Sequence, residues 1–214
     1  KEGYDFAGWY EDSALTTAVT SVKLTDDTTV YAEWTEKNVN PFSDVSANDY
    51  YYDAVLWAAK NHITTGTTAT TFSPEDGCTR AHAVTFLWRA MDSPEPTVTV
   101  TPFTDVSEDA YYYKAFLWAV EKGITIGTSA TTFSPHLTVT RAQADTFLWR
   151  AAGKPAAGTA NPFGDVSGKA YYYDAVLWAV KKNITIGTTV TTFSPDDGCT
   201  RGQIVTFIFR YLGD

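Results

Sequence analysis

Residues 139–150, VTRAQADTFLWR, put an arginine in the first turn of a segment that reads as a helix. The first backbone N–H groups of a helix lack intrahelical partners and make that end electropositive, so a cation there costs about 0.3–1 kcal/mol. The chain makes the same choice three times, with Arg141 here, Arg80 in CTRAHAVTFLWR and Arg201 in CTRGQIVTFIFR. What the three arginines gain at three helix starts is the question that organises the rest of the sequence.

Outward from each arginine the chain repeats itself. Phe42, Phe103 and Phe163 open three copies spaced 61 and 60 residues apart, which run from residue 41 to the end. Self-similarity at such a period marks units that bury their apolar faces against one another. Between copies lie MDSPEPTVTVT and AGKPAAGTAN, rich in Pro, Gly and Thr as connectors are. Each is about ten residues long, enough to cross between neighbours and too short to let them wander. The copies therefore span 41–92, 102–152 and 162–214 and should pack as one domain.

Within a copy, the segment YYYDAVLWAVKKN predicts a helix buried on most sides, since its apolar residues fill more than one face. His62, Gly123 and Asn183 follow it, all residue types that tolerate the left-handed conformation at a helix end. A loop through Gly66, Gly127 or Gly187 leads to TTFSP. The second helix starts at Thr79, Thr140 or Thr200, and Thr-x-x-Gln in copies two and three is a capping box using Gln143 and Gln203. Copy one has His82 there. Phe86, Leu87, Phe147, Leu148, Phe207 and Ile208 give this helix an apolar face that a lone helical hairpin could not bury, whereas three such faces could bury one another.

Residues 1–37 follow a different pattern, with short β-branched and aromatic runs between Thr and Asp turns. Val30, Ala32 and Trp34 alternate with Tyr31 and Glu33 as in a half-buried strand, and a strand edge is expected to be left unpaired.

Composition narrows the function. The chain has 214 residues, 44% hydrophobic and 15% aromatic, and carries a formal charge of −9. An acidic globular protein is a poor partner for nucleic acid or an anionic bilayer, so any anion must be caught locally. No run approaches the eighteen apolar residues of a membrane span. Cys78 and Cys199 lack metal-ligand spacing and occupy equivalent places in two copies, so a disulfide depends on whether their Cα atoms approach within about 7 Å. No nucleophile elbow, P-loop or zinc-protease motif is present, and His62, His82 and His136 have no matching partners. Neither an enzyme nor a metal or cofactor is expected.

The F-x-D-V openings, the helices ending before Ile-Thr-x-Gly, the Phe-Ser-Pro turns and the Thr-Arg-Ala-Gln starts resemble three tandem S-layer homology motifs over residues 41–214. Gly3, Tyr4, Phe6, Gly8, Trp9, Tyr10 and the close TTVYAEW make residues 1–37 similar to the latter part of a Listeria–Bacteroides repeat, a β-grasp-like segment. The first resemblance implies a mainly α, pseudo-threefold trimer of motifs: a central three-helix spindle with helix–loop prongs, preceded here by the small β segment. It also implies an extracellular module that anchors proteins to the cell wall or S-layer by binding an anionic, often pyruvylated, secondary cell-wall polysaccharide in grooves between motifs. By position, the family's groove arginine corresponds to Arg80, Arg141 and Arg201. The family's glutamate is replaced by His82, Gln143 and Gln203, which alters any ligand bond made there.

Residue chemistry leaves two roles open for the arginines. A bare helix start plus a guanidinium fork suits a carboxylate or phosphate. Alternatively each arginine pairs with a local acid such as Asp44, Asp105 or Asp165, and the module is a structural or protein-interaction unit. Asp44, Asp105 and Asp165 themselves precede Val-Ser, where Asx-type turns are common, or else contact ligand. Of each tyrosine trio one is expected to face a groove, taken as Tyr51, Tyr112 and Tyr172. Trp57, Trp118 and Trp178 read as packing residues. Gly66, Gly127 and Gly187 read as backbone requirements, with a ligand-facing loop as the other reading. Self-association is left undetermined.

Overall fold

The structure, a computed structural model, describes residues 4–23, 27–36 and 39–213. Gly3, the segment end at residue 37 and Asp214 lie outside the described residues. The chain divides into two compact units, Lys1–Asn40 and Pro41–Asp214.

The first unit is an antiparallel sheet of order β2-β1-β3, from β1 (Tyr4–Tyr10), β2 (Ala18–Val19) and β3 (Tyr31–Glu36). A register shift falls between Phe6 and Gly8. Of the expected inward set Val30 and Ala32 are half-buried, with Tyr31 exposed, but the alternation breaks at the end of β3, where Trp34 is exposed and Glu33 half-buried. The reason is an aromatic cluster on the open face, where Phe6 packs edge-on against both Trp9 (5.3 Å) and Trp34 (5.5 Å).

The second unit holds six helices, two per motif: α1 (Tyr52–Lys60), α2 (Arg80–Ala90), α3 (Tyr113–Glu121), α4 (Arg141–Ala151), α5 (Tyr173–Lys181) and α6 (Arg201–Leu212). The first helix of each motif ends as its sequence predicts, with His62, Gly123 and Asn183 at φ of +57°, +63° and +56°. Ile63 N–H then reaches back to Ala58 O, as Ile124 does to Ala119 O and Ile184 to Ala179 O, closing the open carbonyls. The second helices start behind Thr79, Thr140 and Thr200, whose hydroxyls accept from residue 82, 143 or 203. The capping box is complete at Gln143 and Gln203.

Helices α2, α4 and α6 meet along the pseudo-threefold axis through Leu87, Leu148, Ile208, Phe147 and Phe207. Each also packs on the first helix of the following motif: α2 on α3, α4 on α5, and α6 back on α1. The axis is closed by a ring of three backbone bonds. Cys78 N–H donates to Cys199 O (2.8 Å), Cys199 N–H to Val139 O (2.8 Å) and Val139 N–H to Cys78 O (2.9 Å). Both cysteines are free thiols, fully buried, and burial raises the pKa of each. Trp118 and Trp178 are core residues, and Trp57 packs on Phe209 across the α1–α6 contact.

Candidate functional site

The three arginines are buried, with 2%, 5% and 3% of Arg80, Arg141 and Arg201 exposed. Their helix starts are not bare. Arg80 and Ala81 N–H donate to Leu137 O and Pro135 O of the second motif. Arg141 and Ala142 donate to Asp197 O and Pro195 O of the third, and Arg201 and Gly202 to Asp76 O and Pro74 O of the first. The neighbouring turn thus supplies the acceptors that an anion would otherwise supply.

The side chains follow the same cyclic path. Arg80 Nε donates to Phe133 O (2.8 Å), Arg141 Nε to Phe193 O (2.7 Å) and Arg201 Nε to Phe72 O (2.9 Å). Each guanidinium also lies over the ring of that phenylalanine, at 4.9, 4.9 and 4.7 Å. A second ring, from the central helix one motif on, stands 5.4, 5.8 and 5.2 Å away. Aromatic faces and carbonyls help stabilise a desolvated cation, and the Asp105 charge adds to this at Arg80. Burial lowers the pKa of Arg80 to about 10, which still leaves it charged at neutral pH.

Among the described residues Asp44, Asp105 and Asp165 form no local Asx turn and no contact ion pair with the arginines, although Asp44 acts electrostatically on Arg201, Asp105 on Arg80 and Asp165 on Arg141. Asp105 accepts from Phe133 N–H (2.8 Å) and Ser134 N–H (2.7 Å), some 28 residues on, and Asp44 and Asp165 do the same at Phe72–Ser73 and Phe193–Ser194. Partial burial pushes the Asp165 pKa up, but the Phe193 and Ser194 donors, joined by its own N–H and the Arg141 charge, outweigh it and hold the carboxyl below its ordinary value. Every Phe-Ser-Pro turn is therefore held by its own motif's aspartate at N–H and by the preceding motif's arginine at C=O.

Beside this staple, clefts open between motifs. One, of about 310 Å³, is floored by Arg80 and lined by Thr125, Gly127, Gln143, Arg150 and Tyr171. Another, of about 320 Å³, is floored by Arg201 and lined by Thr64, Gly66, His82, Arg89 and Tyr111. Gln143 joins cap and cleft, since its Oε1 accepts from Arg80 Nη1 (3.0 Å). Gly66, Gly127 and Gly187 sit at φ near +80°, and a Cβ at Gly66 would stand 2.5 Å from Thr68 O and Thr71 O. That is a backbone requirement first, although Gly66 and Gly127 also line clefts.

The tyrosine expectation is off by one position. Tyr51 and Tyr112 are buried and Tyr172 is half-buried against Phe163 and Phe193. Tyr50, Tyr111 and Tyr171 are 61–62% exposed, and Tyr111 and Tyr171 line the clefts. The helices start at residues 52, 113 and 173, later than the trios begin, so the first tyrosine stays outside and the second turns inward. Arg89 and Arg150 were not singled out from sequence. Their signal was the arginine that closes each FLWR or FIFR, placed at the negative end of its helix. There Arg89, Arg150 and Arg210 donate through Nη1 to Ile63, Ile124 and Ile184 O.

Comparison with known proteins agrees with this architecture. The S-layer homology domain matches residues 41–84, 102–144 and 162–205, and the Listeria-Bacteroides repeat domain matches residues 1–33. The chain belongs to the S-layer homology domain family. It is 35% identical over 109 residues to an endoglucanase of Bacillus sp. (strain KSM-635), covering 51% of this chain and 11% of that protein. It is 31% identical over 109 residues to the surface-layer 125 kDa protein of Lysinibacillus sphaericus, covering 50% and 9%. A cell surface protein of Thermoanaerobacter kivui is 31% identical over 118 residues, covering 53% and 16%. The chain thus spans only 9–16% of the length of these relatives, and it is a cell-surface anchoring module of the cell wall and S-layer. Among the described residues no helix is long and apolar enough to cross a membrane.

Proposed function

We propose that the module anchors its protein non-covalently by binding an acidic cell-wall polysaccharide in the clefts between motifs, and that it is not itself catalytic. The observation that carries this reading is a desolvated guanidinium at the floor of an open cleft with a solvent-facing tyrosine at its lip, found at Arg80–Tyr171 and at Arg201–Tyr111. A carboxylate-bearing sugar, such as a pyruvylated one, would meet the guanidinium with its acid and the phenol ring with its apolar face. Gln143 and Gln203, Gly66, Gly127 and Gly187 would shape the cleft walls. Asp44, Asp105 and Asp165 would act indirectly, by fixing the Phe-Ser-Pro turn.

Replacing all three arginines is a poor test, because each also joins two motifs. The exposed Tyr111→Ala and Tyr171→Ala pair is a better one. Sedimentation with wall polysaccharide purified from Gram-positive cells should weaken about tenfold or more, roughly 1.4 kcal/mol, with the melting temperature unchanged. Equal binding by wild type and the pair would refute the cleft assignment.

The engagement of each guanidinium with a neighbouring carbonyl favours a second reading, a rigid structural or protein-interaction unit. It predicts no binding of wall polysaccharide by the intact domain.

A further inference from the structure

The clefts are related by pseudo-symmetry but not by chemistry. At the second-motif cleft every nitrogen of Arg80 has a partner: Nε donates to Phe133 O, Nη1 to Gln143 Oε1 and Nη2 to Thr125 Oγ1 (3.2 Å). Arg141 keeps the Nε bond and an Nη2 bond to Thr185 Oγ1 (3.3 Å). Arg201, 3% exposed, keeps only the Nε bond among the described residues, and its Nη2 is buried with no partner among them. The residue that replaces Gln143 in this third case is His82, whose Nδ1 is also buried without a partner. Both residues line one cleft together with Phe86, which lies 5.2 Å from the Arg201 guanidinium and is stacked 6.1 Å from the imidazole. A buried donor left unfilled costs about 1–3 kcal/mol, which a ligand oxygen at that spot would recover.

We propose that the Arg201–His82 cleft is this module's primary carboxylate site and that its affinity rises on acidification, because His82 becomes a second cation beside Arg201. The proposal rests on the glycan reading above and deepens it. The groups facing His82 are Arg201 from α6, His136 from the second motif's turn, Tyr111 (5.9 Å) ahead of α3 and Arg89 on its own helix. Among the described residues no carboxylate lines the cleft, and those of Asp76 and Asp44 act on Arg201 from outside it. Burial, then Arg201 and His136, lower the His82 pKa, so the imidazole of the empty cleft is neutral at pH 7. A bound carboxylate reverses the balance by favouring the charged form, and binding then takes up a proton.

The test is calorimetric titration of the intact chain with purified wall polysaccharide, native and carboxyl-reduced, at pH 8 and pH 5.5. Wild type is expected to bind the native polymer about tenfold more tightly at pH 5.5, and the carboxyl-reduced polymer equally weakly at both. His82→Gln, which installs the residue found in the other motifs, should abolish the pH difference without lowering the melting temperature. Gln143→His should release Arg80 and give the second cleft the same acid-strengthened binding. A pH-independent wild type, or His82→Gln retaining the pH dependence, would overturn this proposal alone. No binding of native polymer at either pH would overturn the glycan reading as well.

Discussion

At the residue scale, the arginine that starts each central helix is set by what lies across the motif boundary. Its charge sits at the unfavourable end of its own helix, but its Nε bond and its two aromatic faces are all contributed by the neighbouring motifs. Removing one leaves a buried carbonyl unfilled and two rings bare. Arg141→Ala is therefore expected to lower stability by about 2–4 kcal/mol, combining a charged hydrogen bond with a desolvated cation–π contact, as measured by urea denaturation.

Asp145 is the opposite case, a buried residue with nothing filling its oxygens. It sits where the other motifs carry Val84 and Val205, fully buried, with neither oxygen hydrogen-bonded. Burial raises its pKa from 3.8 to about 8, partly opposed by Arg141. A carboxyl whose folded pKa is raised contributes stability that is fully present below about pH 4 and is lost as pH rises through about 8. The wild type should thus lose stability between pH 5 and pH 9. Asp145→Val should be more stable, and flatter over that range, in denaturation series at the two pH values. Only alignment of the three copies makes this position visible in sequence, since nothing in its local pattern marks it.

At the scale of elements, what was legible was what is locally encoded. The Thr-x-x-Gln starts, the left-handed residues after the first helices and the loop glycines all work through bonds within a few residues, and all formed where their chemistry puts them. Which tyrosine of a trio faces outward was not legible, because Tyr51 is turned in against Gly202, more than a hundred residues away. The aspartate clasp on Phe-Ser-Pro was hidden for the same reason, as a bond across 28 residues leaves no short-range pattern. Local encoding also predicts which element fails first. Gly127→Ala puts a Cβ 2.3 Å from Phe103 Cε1 and 2.6 Å from Thr132 O at φ +80°. It should cost about 2 kcal/mol or more and disorder the cleft lip, read as faster amide exchange over residues 125–134.

For the 41–214 unit as a whole, connectivity and packing run along different paths. Each central helix packs on the first helix of the motif that follows, and the third closes on the first without any covalent link, through α6 on α1, Arg201 on Phe72 and the Cys78–Val139–Cys199 ring. The repeats were legible as a threefold unit, but nothing in one copy says that its partner helix comes from the next. Because the junctions are pseudo-equivalent, the one with no peptide connection should accept one as readily as the others do. A circular permutant of 41–214, joining Gly213 to Pro41 with a connector the length of MDSPEPTVTVT and opened between Asp92 and Pro102, should unfold in one cooperative transition. Its melting point should lie within a few degrees of the unpermuted unit's. A fragment ending at residue 152 leaves Arg141, α4 and the apolar face of α2 without partners and should show no cooperative transition. If the permutant melted in separate steps while the two-motif fragment folded, the motifs would be independent units joined like beads, and the cyclic staple would not be what holds the module together.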